Sequence, residues 1–265
     1  MKNILVPLGT SSSSIDTLQY AIDFAQEIDA NVYVISIFQE FSKVAGMAKV
    51  NTLLKEESEN RIDEALESVD KKDVSVIAHP IKGGIIEGVQ RFNKHVPVDL
   101  MILAQRSNSV SEEEYLGKTT GSLVKETNIP VMIIPDEAKF IKPASILMAF
   151  KNGVFTKKSM LDPMRAMLKV FNTKLDLLHV HTPEMTEEMK RLSVKLEKHS
   201  NSYKTSVNAT TYQGVLEHFQ SYNPDMICVV RRKRGFFKKL WEKGAVLKRE
   251  FYTTKPLLII RVQEE

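Results

Sequence analysis

The 265-residue chain is 43% hydrophobic and 26% charged, an ordinary globular composition with room for one or two domains that need neither disulfides nor metal to hold their cores. Its lone cysteine, Cys228, excludes a disulfide framework, and no stretch approaches the roughly 18 apolar residues of a membrane span. The net charge of +4 is unevenly spread: residues 1–135 carry 13 Lys/Arg against 19 Asp/Glu, residues 136–265 carry 24 against 14, and most of the excess lies between Arg231 and Arg249.

In chain order, Asn3–Pro7 reads as a first strand. The apolar run stops at Leu8 and gives way to Gly-Thr-Ser-Ser-Ser-Ser, which does not fit a secretory signal, so the cytoplasm is the expected location. Ser11–Ser14 offers N-caps for a helix whose apolar positions Leu18, Ala21, Ile22, Phe24 and Ala25 recur at three-to-four spacing. Asn31–Phe38 is β-branched and aromatic, hence a second strand. A long helix is predicted over residues 45–69, with Leu53, Leu54, Ile62, Ala65, Leu66 and Val69 as its buried stripe. Val74–Pro80 is the third strand, Ile85–Lys94 a short helix and Asp99–Leu103 the fourth strand. A polar loop, Gln105–Tyr115, leads to a helix around Thr119–Glu126, and Val131–Ile134 is the fifth strand.

After a linker, Asp136–Pro143, the order repeats: strand Ser145–Ala149, helix Lys158–Val170, strand Leu175–His181, helix Glu184–Lys198, strand Ser206–Thr211, helix Val215–Ser221, strand Asp225–Val230, helix Ala245–Tyr252 and strand Leu257–Arg261. Three segments are echoed in apolar pattern. Ile4-Leu5-Val6-Pro7 is answered by Ile146-Leu147-Met148-Ala149, Asp99-Leu100-Met101-Ile102 by Asp225-Met226-Ile227-Cys228, and Pro130-Val131-Met132-Ile133 by Pro256-Leu257-Leu258-Ile259. The shifts of about 142, 126 and 126 residues are too long for a solenoid repeat and indicate a duplicated domain, residues 1–136 and 144–265. Short apolar strands alternating with helices predict an α/β fold, each copy a parallel doubly wound sheet covered on both faces.

With these motifs, and with Leu116-Gly117 followed thirteen residues on by Pro130-Val131, the chain resembles a tandem universal stress protein. The resemblance implies two adenine nucleotide α-hydrolase-like sheets of five parallel strands in the order 3-2-1-4-5. It also implies that the halves join antiparallel through their last strands, Val131–Ile134 and Leu257–Ile260, as a pseudo-twofold dimer in one chain. Unpaired, each of those strands would be an apolar edge. Many members bind ATP or another adenine nucleotide between strands one and four, where ligands of open α/β sheets sit. Such members carry an acid just after strand one and a Gly-x-x-Gly loop after strand four. About nine residues further on, Gly-Ser or Gly-Thr opens the last helix. Glycines let backbone N–H groups approach phosphate, the helix N-terminus adds positive potential, and the acid holds the nucleoside.

Carried onto this chain, the first-half candidates are Pro7, Gly9, Ala104, Ser107, Gly117, Lys118 and Thr119. Gly9 stands where the acid belongs, Ala104 and Ser107 replace the glycines, and Gly117-Lys118 is what remains of the final pair. In the second half Lys151 takes the acid's place, Val230 and Lys233 the glycines' and Lys243-Gly244 the final pair's; Arg231, Lys233, Lys243 and Gly244 form a candidate anion site. The ordinary ATP grip is therefore expected to be impaired in the first half and absent in the second. ATP or another adenine nucleotide remains the candidate ligand of the first half, with no other cofactor and no metal implied.

Other constellations carry less. Leu116-Gly117-Lys118-Thr119 lacks the upstream glycine of a P-loop, since Glu112 stands there. Arg231–Trp241 admits three readings: an anionic-ligand site, an electrostatic patch, or a solvated loop whose Phe236, Phe237, Leu240 and Trp241 pack on the other domain. His179 and His181 share a strand face without a completing ligand, so packing is expected of them; His79 at the end of strand three is a candidate pocket wall. Cys228, in an apolar strand, is expected to be buried and inert.

The expected function is a stress-response binding or regulatory protein, not an enzyme, with a degenerate nucleotide pocket in both halves. One alternative is an ATP-binding protein with weak ATPase activity in the first-half pocket. The other is a scaffold that binds polyanions or acidic proteins through residues 231–249. The expected partners are a nucleotide or anionic small molecule and a protein, with nucleic acid not expected and no membrane span, and the internally paired chain is expected as a monomer or a dimer.

Overall fold

The computed structural model describes residues 1–39, 47–106, 113–155, 161–231, 246–248 and 251–261. The chain runs β1 (Asn3–Pro7), α1 (Ser13–Ile28), β2 (Asn31–Phe38), α2 (Met47–Glu67), β3 (Val76–Lys82), α3 (Ile85–His95), β4 (Leu100–Ala104), β5 (Glu114–Leu116), α4 (Lys118–Glu126) and β6 (Val131–Ile134). It continues through β7 (Ser145–Phe150), α5 (Asp162–Phe171), β8 (Lys174–His181), α6 (Val194–Glu197), β9 (Ser202–Val207), α7 (Thr211–Tyr222), β10 (Met226–Arg231), β11 (Val246–Leu247) and β12 (Leu257–Arg261).

Ten strands form one sheet in the order β3-β2-β1-β4-β6-β12-β10-β7-β8-β9. Every neighbouring pair is parallel except β6 and β12, which run antiparallel with Leu257 opposite Ile133, Leu258 opposite Met132 and Ile259 opposite Val131. The sheet thus has two parallel flanks that meet at its middle. The apolar strands are buried on both faces because each face carries helices. Ile4, Val6 and Ile102 join a core with α1, α2 and α5, while Leu5, Met101 and Leu103 join another with α3, α4 and α7. The linker ring Phe140 wedges between the flanks, 5.8 Å from Phe24 of α1 and 6.0 Å from Phe171 of α5.

Two local devices recur at matching places. The Asp99 carboxylate accepts the backbone N–H groups of Lys2 and Asn3 (2.7 and 3.1 Å), and Asp225 accepts those of Ala144 and Ser145 (2.9 Å each). The acid of each repeated motif therefore staples the start of the neighbouring strand and is not at the ligand end of the sheet. Asp29 after α1 and Asn172 after α5 both take the left-handed conformation (φ 54° and 53°) that turns a helix into the next strand.

Several predicted elements differ. The predicted helix Glu184–Lys198 is reduced to the four residues of α6, preceded by turns. Met185 and Met189 are the sole apolar residues between Pro183 and Arg191, too few for a stripe that could be buried. The predicted helix Ala245–Tyr252 is replaced at Val246–Leu247 by a strand that pairs antiparallel with β5, itself a strand inside the predicted loop. Burial of Val246 and Phe251 against the first half overrides the local helical period. The stripe of α2 is buried only toward its C-terminal part: Ile62 and Ala65 are core, but Leu53 is 54% exposed.

Candidate functional site

β1 has β2 on one side and β4 on the other, and the crossovers that leave them cover opposite faces. The carboxyl ends of β1 and β4 therefore open a mouth at which Pro7, Gly9, Ala104, Gly117, Lys118 and Thr119 converge. On the β1 side, Pro7, Leu8 and Gly9 are buried and the chain enters α1 through a run of hydroxyls. The buried Ser14 hydroxyl accepts the Gly9 backbone N–H (3.1 Å), Ser11 and Ser13 hydroxyls pair at 2.8 Å, and the Ser11 carbonyl accepts the Ser14 N–H (3.0 Å). No carboxylate lies between Leu8 and Ser14; the first, Asp16, is exposed on α1.

On the β4 side, the fully buried Thr120 hydroxyl donates to the Ala104 carbonyl (2.9 Å), and the Gly117 N–H donates to the Gln105 carbonyl (3.0 Å). These two bonds seat the N-terminus of α4 against the end of β4. Gly117 is the N-cap of α4 in an extended conformation, Lys118 is exposed and Thr119 half-buried. Arg106 pairs with Asp136. Of the first-half candidates, Ser107 lies outside the described residues. The contacts of Ser14, Gln105 and Thr120 were not among the sequence-derived candidates; a hydroxyl or amide bonded to a carbonyl leaves no periodic trace in a sequence.

The corresponding place in the second half is differently filled. His179, fully buried, bonds the Lys151 carbonyl through Nε2 (3.0 Å) and the Tyr203 hydroxyl through Nδ1 (2.9 Å). Because a carbonyl only accepts, Nε2 carries the proton. Burial lowers the His179 pKa, partly opposed by the bond to Lys151 and reinforced by neighbouring His181. The Lys151 ammonium lies 3.7 Å from Glu184, and Gly153 exchanges backbone bonds with Met189 (3.3 Å) and Ser193 (3.0 Å). The segment after β8 therefore lies against the chain just beyond β7. Val230 is buried in the core.

Among the second-half candidates, Lys233, Lys243 and Gly244 lie outside the described residues. Arg231 is described, and its guanidinium is spent on the first half. It donates to the carbonyls of Val124, Lys125 and Thr127, the last at 3.2 Å, at the C-terminal end of α4. Arg261, its partner across β10 and β12, donates to the Thr127 carbonyl at 2.8 Å. Burial and neighbouring Arg261 bring Arg231 down to about 10, so it remains a cation at neutral pH.

His79 sits on the outer strand β3, 5.9 Å from the Phe92 ring, in a cleft of about 550 Å³ shared with Lys82, Arg91 and His95, two strands away from β1. Cys228 is fully buried and burial pushes its thiol up. Among the described residues no group of three or more His, Cys, Asp and Glu is placed to hold a metal ion, and no helix is long and apolar enough to cross a membrane.

A sequence profile of the universal stress protein family matches residues 1–135. A universal stress protein of Methanocaldococcus jannaschii is 23% identical over 144 residues, covering 52% of this chain and 84% of its own. Among solved structures, a universal stress protein from Archaeoglobus fulgidus superposes with a TM-score of 0.70 over 98% of both chains at 15% identity. A functionally unknown protein from Pseudomonas aeruginosa superposes with a TM-score of 0.56 over 99% of this chain and 93% of its own, at 10% identity.

Proposed function

The chain belongs to the universal stress protein family, and from that premise we propose that it is a cytoplasmic binding or regulatory protein whose nucleotide pocket is degenerate in both halves. The second half is read as a diverged second copy. The mirrored strand order, the paired staples Asp99 and Asp225 and the full-length superposition on the Archaeoglobus structure support that reading.

One observation carries the functional reading. At the first-half mouth the backbone N–H of Gly9 is turned inward to Ser14, and no carboxylate stands in the loop that follows β1. A nucleoside held there would lack its acidic partner, and the Gly117 N–H that a phosphate would seek is already bonded to Gln105. What the mouth still offers is a hydroxyl-rich rim, Lys118 and the N-terminus of α4, which suit a small anionic ligand better than a whole nucleotide. In the second half the segment bonded to Gly153 lies against the chain just beyond β7, and Arg231 points elsewhere.

Titration calorimetry with ATP, ADP and AMP tests this. Dissociation constants weaker than about 100 μM for all three are expected. Micromolar ATP binding with slow turnover would sink the reading in favour of a weak ATPase. Silence toward nucleotides together with salt-sensitive capture of polyanions would favour a scaffold working through residues 231–249.

A further inference from the structure

Two separate contacts from the second half converge on α4 of the first. At its C-terminal end, Arg231 and Arg261 donate to the carbonyls of Val124, Lys125 and Thr127. Those are among the carbonyls a helix cannot bond internally, and the negative end of the helix dipole offsets the cost of holding two guanidinium groups side by side. At the N-terminal end, β11 pairs with β5, the strand that feeds into Gly117: Val246 lies opposite Leu116 and the Lys248 N–H donates to the Glu113 carbonyl (2.8 Å). Phe251 packs on the buried Tyr115 ring at 5.2 Å, and the Gln105 amide reaches the Thr253 carbonyl at 3.4 Å. Gln105 is the same residue whose carbonyl receives the Gly117 N–H.

In the second half, Val246 and Leu247 form a strand where the order of elements calls for the counterpart of α4. Those two residues are paired with the strand that leads into the other half's helix.

We propose that the second half is a clamp on α4, with Arg231 and Arg261 holding its C-terminal end and β11 with Phe251 and Thr253 holding the strand and turn before its N-terminal end. Arg231 and Arg261 are positioning residues for the first-half mouth, and any event that loosens them is felt there. This goes beyond the functional reading and borrows from it only the location of the mouth.

Hydrogen exchange on the full chain without ligand tests the clamp directly. In Arg231→Met/Arg261→Met, the Gly117 and Gly121 amides, bonded to Gln105 and Gly117, should exchange at least tenfold faster along with Thr127, while amides of α1 and α3 keep their rates. Arg231→Lys, which keeps the charge but reaches one carbonyl at a time, should give intermediate rates and decides the matter if the double variant does not fold. Fraying confined to Thr127 with Gly117 and Gly121 unchanged would mean a mere helix cap and overturn the proposal. Uniform acceleration over all helices would overturn it too, as global destabilisation. Micromolar ATP binding by the chain would count against the functional reading and leave this test intact.

Discussion

Ser14 and Thr120 decide what the first-half mouth can present. Each uses a hydroxyl to fix a backbone group that would otherwise face the opening: the N–H of Gly9 and the carbonyl of Ala104. Replacing Thr120 by valine keeps the shape and strands a buried carbonyl, so a loss of about 1–2 kcal/mol is expected, read as a lower urea midpoint at unchanged slope. Position 9 is where the proposed reading lacks an acid. Gly9→Asp should raise ATP affinity at least tenfold, about 1.4 kcal/mol, in calorimetry; unchanged affinity would show that the acid is not what the pocket lacks. His179 sets a pH dependence. Its folded pKa is lowered, chiefly by burial, so on acidification the unfolded chain takes up the proton first. The stability gained by keeping His179 neutral is complete above the free imidazole value of about 6.5 and drains away as pH falls from there toward the folded value. Thermal melts from pH 7.5 to 5 should show this decline, and His179→Gln should flatten it.

At the scale of elements, the two flanks of the sheet differ most around β7 and β11, where short turns and a strand stand in place of long helices. Gly153 is the pivot: a Cβ there would lie 2.4 Å from the Arg191 carbonyl oxygen, a backbone atom that cannot step aside alone. Gly153→Ala should therefore cost about 1–3 kcal/mol and expose the Lys190–Arg191 region to trypsin, which limited proteolysis would reveal as a new early cut. The sequence makes the core strands plain, because buried parallel strands must be short apolar runs, and the prolines before β6 and β12 mark where each begins; the largely exposed β9 runs Ser202–Val207 where Ser206–Thr211 is predicted. It made α1, α3 and α4 plain by their period. It misleads over residues 184–198, where the apolar positions are too few for a buried stripe and the chain turns against Gly153, and over residues 246–248, whose pairing with β5 a linear reading does not contain. The candidate site was legible in the same partial way. The candidate residues come from the family resemblance, whereas Ser14, Gln105 and Thr120 act through single bonds that no motif marks, and the basic character of Arg231 says nothing of its reaching α4.

At the scale of the whole molecule, the junction of β6 and β12 governs whether either half can stand alone. Val131, Met132, Ile133 and Ile134 are all essentially inaccessible, although β6 would be the outermost strand of a sheet that ended there. Cutting the chain after residue 136 would bare that edge with its unpaired N–H and C=O groups, and would also strip the Arg231 and Arg261 donors from the end of α4. Two copies of such a fragment can restore the lost ladder, because an antiparallel pair of identical strands is self-complementary about a twofold axis. Residues 1–136 expressed alone should accordingly run as a homodimer in light scattering, dissociating only as the fragment unfolds. A Met132→Pro change, which removes an N–H from the strand interior, should push it toward aggregate or an unfolded chain. A stable, soluble monomer of the fragment would mean that the middle of the ten-stranded sheet is a convenience of packing, and that each flank holds its shape without the other.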